Sequence, residues 1–118
     1  MMEQILKLST VKKEDANIML LVCIIGLLDS LKNGILTIEE CEQYLFSPYS
    51  LDVLQKKGID KRIINIVHLG TELEDIESLL PDRLDANIQK LYEDAKELLK
   101  QIKPEGICYG DKKWLDEK

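Results

Sequence analysis

The stretch from Asp29 to Glu40, D-S-L-K-N-G-I-L-T-I-E-E, has the spacing of a calcium loop. In an EF-hand loop, oxygen ligands recur at alternate positions, a glycine at the sixth makes the sharp turn, and a bidentate glutamate closes the twelfth. Asp29 takes the first position, Asn33 the fifth, Gly34 the sixth and Glu40 the twelfth. Ile35 can offer its carbonyl at the seventh, Leu36 is the apolar residue at the eighth, and Thr37 stands at the ninth. Leu31 breaks the pattern at the third, where an oxygen is needed. Calcium takes roughly six to eight oxygens, so one lost ligand weakens such a site. Asp29, Asn33 and Glu40 are therefore the candidate metal ligands. A plainer account covers the same residues: Asn33-Gly34 ends one helix, and Thr37 to Glu40 opens the next as a capping box.

A second constellation is acidic. Between residues 72 and 97 stand nine acidic and three basic residues, an excess that equals the net charge of -6 for the whole chain. A concentrated acidic face steers a basic partner and speeds association. Glu72, Glu74, Asp75 and Glu77 are the candidate partner-binding residues. The competing account is a solvated face, with acids favoured near a helix N-terminus by the macrodipole.

His68 is the only histidine, and the cysteines are Cys23, Cys41 and Cys108. His68, Glu72 and Asp75 would converge if one helix carried them, but Gly70 is expected to break it. Near a helix end, a protonated imidazole also interacts well with the dipole. Cys41 with His68 lacks any visible oxyanion donor or orienting group for nucleophilic catalysis. The cysteine and histidine spacing fits no zinc site. The glycines stand apart, so no GxGxxG or P-loop cradles a phosphate. No catalytic residue, cofactor site or enzymatic constellation emerges.

Composition sets the frame for these residues. A chain of 118 residues, 45% hydrophobic and 32% charged, suits one folded domain over 1–118. The net negative charge and the 5% aromatic content argue against a nucleic-acid binder, which needs a basic footprint and stacking surfaces. The odd, scattered cysteines suit reduced thiols in the cytoplasm.

The elements that must position these groups read as helices. Ile18 to Leu28 is a charge-free run of eleven residues, which spans roughly 16 Å as a helix. A bilayer core of about 30 Å is beyond its reach. Glu14 and Asp15 interrupt the basic flank that a signal peptide would need. A helix apolar on all sides is expected to be buried on all sides, with a second copy of the chain as the competing cover. It is placed at about 13–31.

Further helices follow: Thr37 to about Phe46, a short one from Ser47-Pro48 to Gly58, one capped by Asp60 and ended by Gly70, and one opened by a second capping box, Thr71 to Glu74. The last is placed at about 82–102, where Leu84, Ile88, Leu91, Ala95, Leu98 and Ile102 alternate spacings of four and three. The expectation is an all-α bundle of five to six helices around the central apolar helix. Residues 2–11 and 104–118 are irregular in this reading, or pair as two short strands.

Three stretches carry a resemblance: Leu31-Lys-Asn-Gly34, Phe46-Ser-Pro-Tyr49, and the run from His68 to Pro81. Together they resemble a family of short bacterial proteins classed as a domain of unknown function. The resemblance covers most of the chain and implies a bacterial, cytosolic origin. It brings no functional residues with it. The residues themselves favour a small acidic interaction module, of the inhibitor or immunity type, that binds a basic protein. The alternative is a metal- or ligand-responsive module using the loop at 29–40.

Overall fold

The computed structural model describes residues 6–103 and 114–116. It is mostly helical. The elements run β1 (Lys7–Leu8), α1 (Lys13–Lys32), α2 (Ile38–Tyr44), α3 (Pro48–Lys56), α4 (Lys61–Thr71), α5 (Leu73–Leu79), a 3-10 turn (Pro81–Arg83), α6 (Leu84–Ile102) and β2 (Leu115–Asp116). Against the expected five to six helices, four run nine residues or longer, and α2 and α5 have seven residues each.

The helix ends follow local chemistry. Thr37 and Glu40 form the expected capping box: Thr37 Oγ1 accepts from Glu40 N at 3.1 Å, and Glu40 Oε1 accepts from Thr37 N at 3.0 Å. Ser47 caps α3 by accepting from Ser50 N, with Pro48 in the first turn. Asp60 caps α4 by accepting from Arg62 N at 2.8 Å. Gly34 and Gly58 follow their helices at φ +71 and +70, a conformation that costs glycine little.

Two expected boundaries are different. Gly70 does not end α4, which continues through Thr71. Thr71 forms no capping box either. Its hydroxyl donates back to the His68 carbonyl at 2.5 Å, and α5 starts after Glu72 without a side-chain cap.

The two longest helices, α1 and α6, share the largest interface. Leu31 near the end of α1 and Leu84 and Ile88 at the start of α6 line one groove, so the helices run antiparallel. Lys32 Nζ lies 4.2 Å from the centre of the Tyr92 ring, linking the end of α1 to the middle of α6. The α6 stripe forms as expected: Ile88, Leu91, Ala95 and Leu98 are buried, with Leu84 and Ile102 half-buried at its ends. Phe46, Ile63, Val67 and Leu73 are among the other buried core residues.

The expected burial of Ile18–Leu28 on every side does not occur. Leu21, Ile24 and Leu28 point inward and have no exposure. Val22 is 43% exposed, and Cys23 and Gly26 are also exposed. The reason is the packing order. Helices α6, α4 and α2 are the main neighbours of α1, whereas α3 packs on α4, and α5 on α2, α4 and α6. Too few helices remain to encircle it.

The terminal segments do pair. β1 and β2 are antiparallel, with Lys7 opposite Asp116 and Leu8 opposite Leu115. Ser9 N donates to the Trp114 carbonyl at 2.7 Å. Cys108 and the rest of 104–113 lie outside the described residues. Among the described residues, no helix is long and apolar enough to cross a membrane.

Candidate acidic interface

The acidic segment divides in three dimensions. Its α6 half is partly neutralised locally: Lys90 Nζ bridges to Asp94 at 3.1 Å, and Lys96 Nζ lies 3.6 Å from Glu93. Its α5 half is not. Glu74 and Asp75 sit exposed in the first turn of α5, where the helix dipole favours negative charge. Among the described residues, no lysine or arginine forms an ion pair with Glu74, Asp75 or Glu77.

Packing of α2 on α5 adds acids that the linear count leaves in a neutral region. Packing brings the carboxyl of Glu42 in α2 against that of Glu74 in α5, and Glu39 and Asp75 act on it electrostatically. Glu42 Oε1 is closed off from solvent without a hydrogen-bond partner among the described residues. The Glu42 carboxyl therefore titrates above its ordinary range. Desolvation is the largest cause, followed by the bond to Glu74 and the charges of Glu74, Glu39 and Asp75. Two carboxyl groups can share a hydrogen bond only while one holds a proton. The Ile38–Tyr44 helix carries Glu39, Glu40 and Glu42, and this local density was the available sequence signal.

Glu72 belongs to a different contact. Its Oε1 lies 3.1 Å from His68 Nε2, one helical turn away. Because α4 passes unbroken through Gly70, these two residues meet, contrary to the expected break. Glu77 lines a groove with Glu39 and Asp85, whose floor includes Leu31, Leu36, Ile38, Leu84 and Ile88. Of the four candidate partner residues, Glu74 and Asp75 thus join the α2 acids directly, Glu77 faces the adjoining groove, and Glu72 turns to His68.

The 29–40 loop has the geometry of two helix ends. Asn33 Nδ2 donates to the Asp29 carbonyl at 2.8 Å, and Glu40 is engaged with Thr37. Leu31 packs against the core. Among the described residues, no three His, Cys, Asp or Glu side chains gather so as to hold a metal ion. Cys41 is buried, with Sγ 3.9 Å from the Leu27 carbonyl. Burial pushes its thiol pKa up, and Glu40 and Glu42 add to the rise. Its bond to Leu27 and that of His68 to Glu72 give the two side chains separate partners.

No curated protein and no solved structure matches the chain significantly. A family model does, over residues 11–116, and the chain belongs to that family, described as protein of unknown function (DUF3969).

Proposed function

We propose that this chain is a small cytoplasmic interaction module without catalytic activity. It binds a basic protein through the α2–α5 acidic face, in the manner of an inhibitor or immunity-type protein. The observation that supports this reading is the Glu42–Glu74 carboxyl pair, flanked by Glu39 and Asp75. Like charges gathered beside a desolvated carboxyl raise the free energy of the unbound protein. A lysine or arginine from a partner relieves that repulsion and gains a charge-assisted bond. The same face repels nucleic-acid phosphates. An extended acidic ridge spread over two helices suits a protein surface.

The test measures association of the captured basic partner with the native chain and with a variant carrying Glu72→Lys, Glu74→Lys, Asp75→Lys and Glu77→Lys. The variant's on-rate is expected to fall by about tenfold or more at low salt, with the gap closing as salt rises. An on-rate that does not change refutes the reading.

A further inference from the structure

Beside the acidic ridge lies a groove of about 390 Å³ with two chemistries. Its floor is apolar and comes from three parts of the chain: Leu31 of α1, Leu36 and Ile38 around the start of α2, and Leu84 and Ile88 of α6. Its rim carries Glu39 of α2, Glu77 of α5 and Asp85 of α6. All three acids are exposed. Among the described residues, none of them forms an ion pair with a lysine or arginine.

An apolar floor and an acidic rim together select a particular ligand. A uniformly cationic surface satisfies the rim and leaves the floor wet. A neutral apolar segment fills the floor and strands three carboxylates at its edge. An amphipathic basic segment satisfies both, with an aliphatic side chain seated between flanking lysines or arginines. We infer that this groove is a docking site for such a segment of a partner protein, one that presents an aliphatic side chain to Leu36, Ile38, Leu84 and Ile88 and cations to Glu39, Glu77 and Asp85. The inference rests on the acidic-interface reading and adds the partner's chemical pattern to it. Charge complementarity names the occupant: three acids from separate helices surround one apolar floor.

The test uses the full chain with backbone amides and leucine and isoleucine methyl groups labelled for NMR. Two synthetic peptides of equal length and charge serve as probes. One carries leucines and lysines at helical spacing, and the other has serine in place of every leucine. The leucine peptide is expected to bind about tenfold more tightly, the discrimination that burial of one aliphatic side chain supplies. It should shift the methyl resonances of Leu36, Ile38, Leu84 and Ile88, and bind several-fold more weakly to the Glu39→Gln, Glu77→Gln variant. Equal binding of both peptides, with shifts confined to the Glu74 and Asp75 amides, overturns the groove and leaves the acidic face standing. Binding by neither peptide overturns both.

Discussion

The ring of Phe46 packs against Gly70 in α4. A methyl group built on Gly70 would stand 2.8 Å from Phe46 Cγ and 2.9 Å from Cδ1. Phe46 is only 2% exposed, so the ring has little room to withdraw. Gly70→Ala gains up to about 1 kcal/mol of helix propensity. Overpacking a filled core costs about 1–3 kcal/mol. The expected outcome is a net loss of about 1–2 kcal/mol in urea unfolding. Adding Phe46→Leu to Gly70→Ala should recover part of that loss. Additive effects of the two changes would show that the ring and the glycine are not coupled.

Gly26 should give the opposite sign. It stands on the exposed side of α1 within the helix, and a Cβ there would meet no atom within 4 Å. Gly26→Ala removes a backbone-entropy cost and is expected to stabilise the chain by roughly 0.5–1 kcal/mol. Measured together, the two alanine substitutions separate a packing glycine from a free one. A destabilised Gly26→Ala chain would show that something covers this face of α1.

The two threonines in apparent capping boxes should also differ. Thr37 accepts from Glu40 N and anchors α2, so Thr37→Ala is expected to cost about 1 kcal/mol. Thr71 only donates back along α4 to the His68 carbonyl. Such back-bonding contributes little to a helix, and Thr71→Ala should cost less than half as much by thermal or urea unfolding. Equal losses would mean that Thr71 supports the start of α5 after all.

These pairs show what local sequence reveals. Thr37, Ser47, Asp60, Gly34 and Gly58 act on backbone groups a few residues away, so their roles were legible before any fold existed. Gly70 looks identical in sequence to a helix terminator, but its role is set by Phe46, which reaches it through tertiary packing. The one-sided exposure of α1 is hidden for the same reason. A uniformly apolar run says nothing about how many neighbours will reach it. The acidic site was half legible: Glu74, Asp75 and Glu77 stand in one segment, whereas Glu39 and Glu42 join them only when α2 packs on α5.

Thiol chemistry offers a direct check on the α1 face. Cys23 is exposed, while Cys41 is 1% exposed. Desolvation raises both thiols above their ordinary value, so access decides which reacts first. Iodoacetamide at about pH 8 should label Cys23 in the folded chain and label Cys41 only after unfolding, as read by peptide mass mapping. Comparable labelling of both in the folded state would contradict the packing of α1 on α2.

Glu42 makes stability depend on pH with a definite sign. Its carboxyl is raised in the fold above the ordinary value of 4.5 by desolvation and by Glu74, Glu39 and Asp75. The folded chain therefore holds this proton over a pH range in which the unfolded chain has released it. The resulting stability is fully present below pH 4.5 and is lost as pH rises through the folded value. Asp60 has the opposite sign, because the bond to Arg62 lowers its pKa from 3.8. Its contribution is present above 3.8 and disappears as pH falls through the folded value. The two losses fall in separate pH ranges, one above 4.5 and the other below 3.8. Glu42→Gln keeps the side-chain size, carries no charge and can still donate a hydrogen bond to Glu74. Urea unfolding between about pH 3 and pH 8 should show the variant matching the native chain below 4.5 and exceeding it near neutrality. Glu74→Gln should also reduce the native decline, since it removes a neighbouring charge and offers an amide N–H that favours the ionised form of Glu42. Parallel stability curves for the native chain and Glu42→Gln would show that the carboxyl pair is not coupled to folding.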